Sequence, residues 1–370
     1  MSQLITSSKV VAHLANGQEM SVPIYQFKGC SDAPSVYIQA NMHGAEVQGN
    51  AVIYQLLEQL RQLSVQGDIT LVPLCNPVGI NQKSGEFTLG RFDAITGNNW
   101  NRGYHFNEQL PLDFARDNPD LSFAEIKTRF RAAIIADLET QLLNNPYGLN
   151  TAQHLCATLQ RMAFDADIVL DLHTGPISER HLYCPEYTKD SAKLFDIPHT
   201  LFIPSGFDGA LDEASFCPWW HLQLAYKAQG REIPVVVDGF TLELGSQEWL
   251  CLEEAKKDSS GILSFLSAKG VIEHGLFMPR EMIRYACYLK DYRALYSPKS
   301  GLVEYLAPLG GHIKAGEPLV RLLRMDRYGH DDVIEVIEAP QDSIAILHFA
   351  SASVNQGTEL YKVFTNYFTL

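Results

Sequence analysis

The chain has 370 residues, of which 46% are hydrophobic and 19% are charged, and its formal net charge at pH 7 is −14. This composition is typical of a globular protein with one large core, or with one large and one small core. The negative charge argues against nucleic acid and anionic membrane surfaces as partners, so it favours a small-molecule or cationic ligand.

Seven cysteines are scattered along the chain, and none forms a C-x-x-C pair. An odd and scattered set is typical of reduced thiols, and not of a disulfide framework or a cysteine-based zinc site. The first twenty residues lack the basic start and apolar run of a signal peptide, and no apolar run approaches transmembrane length. We therefore expect a cytoplasmic protein that does not enter a membrane. The oligomeric state stays open, with a homo-oligomer among the options.

The first elements alternate between strands and helices. Residues 4–25 alternate in polarity around a turn at 15–17, which predicts a β-hairpin. An apolar run at 36–40 predicts a strand, and apolar residues at helical spacing predict a helix over 47–63. A second apolar run at 68–74 predicts the next strand.

The middle of the chain carries a segment of different character. Residues 80–106 are loop-like, whereas residues 107–150 are acidic at first and helical in period from 123 to 143. We interpret 107–150 as a helical insertion that packs on the surface of the domain. A lid over the functional site is the alternative.

The alternation resumes after the insertion. A helix at 151–164 leads into an apolar run at 166–172 that ends in polar residues. Apolar runs at 201–204 and 234–237 predict later strands, and 248–269 predicts a helix. Strands that alternate with helices predict an α/β fold with a mixed, mostly parallel sheet and helices on both faces.

The last part of the chain has short apolar runs and frequent glycines. Positions from 298 to 319 are echoed from 340 to 360, which predicts two copies of one hairpin unit in a small β-barrel or sandwich. We therefore predict two domains, a larger α/β domain at 1–295 and a small all-β domain at 296–370.

This C-terminal pattern resembles biotinyl/lipoyl domains. Such carrier domains present a modifiable lysine on the hairpin between their two halves. No lysine occurs between Lys314 and Lys362, so a carrier function is not predicted.

The turn after the first buried strand carries a histidine and a carboxylate three residues apart, His43 and Glu46. Ligands collect at the carboxyl ends of strands in open α/β sheets, and mixed nitrogen and oxygen ligands suit Zn²⁺. By itself this pair favours a solvated turn that has a glutamate at the helix start. A catalytic zinc needs one more protein ligand.

Of the twelve histidines, His173 has the most suitable context, because it also follows an apolar strand and precedes a glycine-containing loop. Asp171 lies two residues earlier, on the same side of the strand. It could orient the imidazole as a hydrogen-bond acceptor, or it could serve as a strand-end or capping aspartate.

Hydrolysis at a metal also needs a general base. Glu243 lies between apolar neighbours just before a glycine, where a carboxylate must be paired, near a metal or shifted in pKa. Asp238 is a competitor for this role, and we rank Glu243 first.

Two arginines are candidates for binding anions. Asn101-Arg102 places a guanidinium next to an amide, and the pair can grip a carboxylate. Arg91 could reach the carbonyl oxygen at which charge develops. Taken in isolation, either arginine is more typical of a surface salt bridge.

Taken in order, these motifs resemble the zinc carboxypeptidase-like superfamily and, within it, the succinylglutamate desuccinylase/aspartoacylase branch. The motifs are His43-x-x-Glu46, Asn101-Arg102, Asp171-x-His173 and Thr241-Leu242-Glu243-Leu244. In this branch a small C-terminal β-domain follows the catalytic domain, so the resemblance spans nearly the whole chain. The insertion at 107–150 has no place in the family pattern.

The resemblance implies one zinc ion held by His43, Glu46 and His173. It implies Glu243 as general base and acid. It also implies that Arg102 with Asn101 anchors a substrate carboxylate, and that Arg91 polarises the scissile carbonyl.

The function implied is that of a zinc-dependent deacylase of amino-acid metabolism, which cleaves the linear amide of a small N-acyl amino acid with water activated by zinc and Glu243. One alternative is a metallocarboxypeptidase that trims peptide C-termini. The other is a non-catalytic metal-binding relative. The acyl group and the amino acid are not readable from the sequence.

Overall fold

The computed structural model describes residues 3–30 and 32–370. Its strands are β1 Leu4–His13, β2 Glu19–Phe27, β3 Val36–Ala40, β4 Ile69–Val72, β5 Lys83–Ser84, β6 Phe87–Thr88, β7 Ile168–Gly175, β8 Ile177–Ser178, β9 His181–Pro185, β10 His199–Ile203, β11 Asp238–Ser246, β12 Tyr285–Tyr288, β13 Tyr292–Tyr296, β14 Gly301–Tyr305, β15 His312–Ile313, β16 Pro318–Leu323, β17 Ile334–Glu338, β18 Ser343–His348, β19 Ser353–Val354, β20 Glu359–Phe364 and β21 Phe368–Thr369. Its α-helices are α1 Gln48–Leu60, α2 Pro77–Ile80, α3 Gln109–Asp117, α4 Phe123–Leu138, α5 Thr151–Ala163, α6 Leu211–Ala228 and α7 Leu252–Ala268.

One large sheet organises the described part of the chain. Its ten strands lie in the order β1-β2-β4-β3-β7-β11-β9-β10-β12-β21. Five neighbouring pairs are parallel, namely β4-β3, β3-β7, β7-β11, β9-β10 and β10-β12. Four are antiparallel, namely β1-β2, β2-β4, β11-β9 and β12-β21. The predicted mixed, mostly parallel α/β sheet is therefore confirmed.

Helices cover both faces of this sheet, so its central strands are buried on both sides. On β3, Ile38 packs in the core beneath α1 and α7, whereas its neighbour Tyr37 packs in the opposite core with α5 and α6. Successive side chains of a strand point to opposite faces. Double coverage explains why β3 and β7 read as nearly continuous apolar runs instead of alternating ones.

The first predicted elements agree with the structure. The hairpin of residues 4–25 is β1 and β2, which pair in antiparallel register. Its turn closes with a hydrogen bond from the Gly17 N–H to the Leu14 carbonyl. The strand at 36–40 is β3.

The strand predicted at 234–237 was wrong. This run is irregular, and β11 begins only at Asp238, whose N–H donates to the Asp167 carbonyl. Pro234 has no N–H to donate to a ladder, which favours an irregular backbone at this point.

Helix α6 was not predicted, although it has 18 residues. Its buried residues include Leu211, Phe216, Trp219 and Tyr226, which do not fall on a single stripe. A helix that is enclosed on most sides lacks the 3.6-residue apolar period by which helices are recognised.

Residues of the segment 107–150 pack against helix α6. Phe130 of α4 makes edge-to-face contacts with Phe114 of α3 and Trp219 of α6. Helix α4 begins at a capping box formed by Ser122 and Glu125.

From residue 292 the described elements are strands and short 3₁₀ turns. They form a sheet in the order β13-β20-β18-β15, which β8 joins through β18, and a four-stranded sheet in the order β17-β16-β14-β19. Strand β13 crosses the boundary predicted between 295 and 296, and β21 returns to the large sheet.

In the part of the chain that the structure describes, no helix has both the length and the apolar character needed to span a bilayer.

Candidate metal centre and active site

Three parallel strands place the predicted site residues at one edge of the large sheet. Strand β7 pairs with β3 on one side and with β11 on the other, all in parallel. His173 on β7 lies directly opposite Glu243 on β11. His43 follows the end of β3. Parallel strands bring their carboxyl ends to the same edge, so residues distant in sequence meet there.

The turn after β3 is held by an asparagine in an unusual conformation. Asn41 is buried and has φ = 71°. Its Nδ2 donates to the carbonyls of His43 at 3.0 Å and Gly44 at 3.2 Å. Asparagine tolerates the left-handed region better than other non-glycine residues. The side chain therefore fixes the short path from His43 to Glu46.

Close backbone contacts join this turn to the Arg91 loop. The Gly44 N–H donates to the Gly90 carbonyl at 2.7 Å. A Cβ atom added at Gly90 would lie 2.0 Å from the Gly79 carbonyl oxygen, and one at Gly44 would lie 2.1 Å from the same atom. Only glycine allows backbones to approach this closely.

We expect Gly90→Ala to destabilise the protein, because the added methyl group overlaps backbone that cannot move aside. The cost should be about 1–3 kcal/mol in the free energy of unfolding, as for other overpacked sites. Chemical denaturation measures it. The matched control is Gly206→Ala, where nothing lies within 4 Å of the added Cβ. Equal stability of the two variants would contradict the prediction.

His43, Glu46 and His173 converge on one another and are buried. Glu46 Oε1 lies 2.8 Å from His43 Nδ1, and Glu46 Oε2 lies 2.8 Å from His173 Nδ1. One ligand atom from each of the three residues can be chosen so that all lie within 4.8 Å of one another. Two imidazole nitrogens and a carboxylate oxygen are a donor set for a catalytic divalent metal.

Neighbouring residues hold the outer nitrogen of each imidazole. His43 Nε2 lies 2.8 Å from Asn99 Oδ1. His173 Nε2 lies 2.9 Å from Asp171 Oδ2, and the other oxygen of Asp171 accepts from Gln39 Nε2 at 3.0 Å. Both Nδ1 atoms are thereby directed at Glu46. Metal-binding histidines are oriented in this way, so the residues present fit a metal ion.

Strong coupling shifts the pKa values of this cluster. Burial alone would raise the pKa of Glu46, but His43 and His173 outweigh it and hold that pKa well below its usual range. Burial alone would lower the pKa of His173, but Asp171 and Glu46 hold it well above its usual range. Burial lowers the pKa of His43. These shifts favour a proton on His173 next to an ionised Glu46.

The carboxyl group of Glu243 lies beside this cluster. Its Oε2 atom is buried and has no hydrogen-bond partner within the described residues. Burial, reinforced by the carboxylates of Glu46 and Asp171, raises the pKa of Glu243 to about 7. A carboxyl group with this pKa can both accept and donate a proton near neutral pH.

The two candidate arginines are partly exposed and face the same cleft. Arg91 Nη1 donates to Glu46 Oε1 at 3.0 Å. Arg102 Nε donates to Asp208 Oδ2 at 3.1 Å, and its Nη1 donates to the Asn101 carbonyl at 2.7 Å. The side-chain amide of Asn101 does not extend beside the guanidinium. Its Nδ2 lies 3.2 Å from His173 Nε2 instead.

A cavity of about 160 Å³ brings these groups together. Seven of the eight predicted site residues line it, and Asp171 lies behind His173. Further lining residues are Asn99, Tyr183, Ile203, Ala210, Asp212, Glu213, Thr241 and Lys362. None of them belongs to the insertion at 107–150.

Several residues around the site were missed at the sequence level. Asn99 and Gln39 act through the histidines or their partners, and nothing in their local sequence distinguishes them. Asn41 had a usable signal, since an asparagine between a buried strand and H-x-x-E favours a left-handed turn. Lys362 lies 189 residues after His173 in numbering, and no local pattern connects the two.

A comparison with protein families agrees with the geometry. The profile of the succinylglutamate desuccinylase/aspartoacylase catalytic domain matches residues 32–269. The N-alpha-acetyl-L-2,4-diaminobutyric acid deacetylase of Halomonas elongata is 26% identical over an alignment of 345 residues, which covers 88% of this chain and 80% of that protein.

Two solved structures of proteins named for the same family are similar over their whole length. The protein from Shewanella frigidimarina NCIMB 400 is 54% identical with a TM-score of 0.97, and the match covers 100% of this chain and 99% of that chain. The protein from Shewanella amazonensis SB2B is 54% identical with a TM-score of 0.95, and the match covers 99% of this chain and 100% of that chain.

Proposed function

Because the chain belongs to the succinylglutamate desuccinylase/aspartoacylase family, we propose that it is a zinc-dependent amidohydrolase that removes an acyl group from the nitrogen of a small amino acid. The convergence of His43, Glu46 and His173 next to Glu243 carries this proposal. Metal ligands without a base would suit a binding protein. Ligands and base in one cavity suit hydrolysis.

His43, Glu46 and His173 would hold the zinc through two imidazole nitrogens and one carboxylate. Three protein ligands with an open position are typical of catalytic zinc. When bound, zinc acts as a Lewis acid toward a carbonyl oxygen and lowers the pKa of water. Asn99 and Asp171 keep the two imidazole rings in orientation.

Glu243 would carry the proton transfers. It accepts a proton from the water that attacks the amide carbon, and it then gives that proton to the nitrogen of the departing amino acid. The pKa of about 7 allows both transfers near neutral pH. The carboxyl group is available for them because its Oε2 atom has no protein partner in the described residues.

The arginines would position the substrate. Arg102 offers a fork of N–H donors to a substrate carboxylate, and Asp208 and the Asn101 carbonyl hold that fork in place. In the proposed mechanism Asn101 supports Arg102 and contacts His173. Arg91, now bonded to Glu46, would turn to the carbonyl oxygen as its charge grows.

We expect Arg102→Lys to raise KM by about 10- to 100-fold with a smaller effect on kcat, because lysine replaces a two-point contact by a point charge. Steady-state kinetics on an N-acyl amino acid and on its carboxamide analogue measure the effect. The rise in KM that Arg102→Lys causes should be far smaller for the carboxamide analogue than for the N-acyl amino acid. The matched control is Arg129→Lys, whose side chain is exposed. An equal loss on both substrates would contradict the carboxylate role.

Metal analysis of the purified protein, combined with amine release from a panel of N-acyl amino acids, tests the proposed function. One zinc per chain and hydrolysis of at least one N-acyl amino acid are expected. Release of C-terminal residues from peptides, with no action on the panel, would favour the metallocarboxypeptidase alternative. A zinc-loaded protein inert on both panels would favour a binding role.

The domain division is part of the same proposal. We assign 1–295 to a catalytic domain and 296–370 to a small biotinyl/lipoyl-like β-domain. The strands of the last segment support it, with the qualification that β13 begins at Tyr292. Cytoplasmic location and assembly into a homo-oligomer stay predictions from the sequence.

A further inference from the structure

A buried carboxylate in the cavity has no part in the proposed catalytic steps. Asp212 is only 3% exposed, and it lines the same cavity as the metal ligands. No lysine, arginine or histidine of the described residues forms an ion pair with it. Buried carboxylates are normally paired with a cation, so an unpaired one in a substrate cavity needs an explanation.

Helix capping does not supply that explanation. Asp212 lies in the first turn of α6, and its Oδ1 accepts from the Glu213 N–H at 2.9 Å. Glu213 performs the capping, since its Oε2 accepts from the N–H groups of Asp208 at 2.7 Å and Ala210 at 3.2 Å. Capping of α6 therefore does not account for Asp212, which also forms a hydrogen bond with the Thr241 side chain and lines the cavity that a ligand would enter.

The surroundings of Asp212 favour a positive partner. Burial and the carboxylates of Glu213 and Asp171 raise its pKa to about 7, while the Thr241 side chain acts in the opposite direction. An ammonium group placed against Asp212 would stabilise the ionised carboxylate. A neutral or negative group would leave it destabilised or protonated.

Asp212 is also adjacent to the proposed carboxylate anchor. Arg102 is bonded to Asp208, and the backbone of Arg102 approaches Gly209 so closely that a Cβ there would lie 3.0 Å from the Arg102 carbonyl oxygen. The segment that fixes Arg102 thus leads directly into Asp212. The Arg102 guanidinium and the Asp212 carboxylate are therefore carried by neighbouring stretches of backbone.

From this arrangement we infer that Asp212 binds an ammonium group on the side chain of the amino acid that is released. The substrates are then N-acyl derivatives of amino acids with a basic side chain, whose carboxylate contacts Arg102. This inference rests on the proposed function. It adds the charge of the substrate side chain and the residue that selects it.

Lys362 would favour a substrate with a negative side chain instead. It also lines the cavity, and it would attract a second carboxylate, as in a diacid substrate. Its side chain is 36% exposed, and its Nζ lies 3.8 Å from Glu359 Oε1. Charge interactions are weaker at an exposed group than at a buried one, so the buried Asp212 should dominate selection.

The test compares kcat/KM for N-acetyl-2,4-diaminobutyrate, for its neutral isostere N-acetylnorvaline and for N-acetylglutamate. The zinc-loaded wild type should prefer the cationic substrate over the neutral one by about 10- to 100-fold. In Asp212→Asn this ratio should fall to near one, with little loss on N-acetylnorvaline. The matched control is Asp190→Asn, an exposed aspartate, which should keep the wild-type ratio.

Other outcomes would overturn the inference. The wild type could show no preference for the cationic substrate, or it could prefer N-acetylglutamate. Asp212→Asn could also lower kcat/KM equally on all three substrates. If no substrate were hydrolysed, the proposed function would fail and calorimetric binding would still decide the role of Asp212. Tighter binding of 2,4-diaminobutyrate than of norvaline, lost in Asp212→Asn, supports it. Equal binding of the two amino acids contradicts it.

Discussion

Glu243→Gln is expected to lower kcat by about three orders of magnitude or more, while the protein keeps one zinc per chain. Glutamine has nearly the same shape but can neither take the proton of water nor return it to the leaving nitrogen. General acid–base catalysis contributes about 10²- to 10⁴-fold, and the activation of water is lost with it. Steady-state kinetics and metal analysis of the same preparation measure the two properties.

The control for this variant is Glu253→Gln, which changes an exposed glutamate of α7 and should keep full activity. If Glu243→Gln bound zinc normally and kept more than about a tenth of the wild-type kcat, another residue would have to be the base, because the loss would fall below the range of acid–base catalysis.

The same substitution has a second consequence, which needs no substrate. In the metal-free protein the folded pKa of Glu243, about 7, lies above the ordinary value for a glutamate. The proton therefore stabilises the fold fully below the unfolded pKa, and this stabilisation is lost as the pH rises through 7. Glutamine does not ionise. The unfolding temperature of Glu243→Gln, compared with that of the wild type, should therefore be more favourable at pH 8 than at pH 5.

His173→Ala is expected to abolish stoichiometric zinc binding and to reduce hydrolysis to background. Only His43 and Glu46 would remain as ligands, and two ligands do not make a catalytic zinc site. Metal analysis after dialysis and amine release measure the effects, and circular dichroism checks that the variant is folded. The matched control is His13→Ala, a surface position whose side chain is 70% exposed. Stoichiometric zinc in His173→Ala would refute the assignment.

Zinc affinity of the wild type should fall as the pH falls. A histidine binds metal only in its neutral form, and Asp171 and Glu46, against the effect of burial, hold the pKa of His173 well above its usual range. Below that pKa, zinc must displace a proton, so its affinity should drop by about tenfold per pH unit. Calorimetric titration in buffers of different ionisation enthalpy would detect the released proton.

The sequence predicted the parts of the site that follow from strand order. His43 and Glu46 share one turn, and His173 follows a strand of the same kind. Since parallel strands end at one edge, their convergence could be anticipated. Glu243 could be anticipated because a carboxylate between apolar neighbours needs a reason to be there.

The remaining features depend on packing that no local pattern encodes. Helix α6 is enclosed on most sides, so it lacks the one-sided apolar stripe by which a helix is predicted. Because the helix was not predicted, the position of Asp212 in its first turn was not predicted either. The apolar run at 234–237 has the composition of a strand, but it is irregular. Lys362 enters the cavity from a strand that pairs only with other late strands.

The way β8 and β21 pair has a consequence for the order of assembly during synthesis. Strand β8 begins two residues after β7, yet its partner is β18, and β21 completes the large sheet only after the intervening strands are made. When residues 1–295 have been synthesised, every proposed metal ligand is present, but Lys362 of the cavity lining is not. Domains generally fold as units in the order in which they emerge. In this chain the lining of the cavity is complete only when β20, which carries Lys362, has been synthesised.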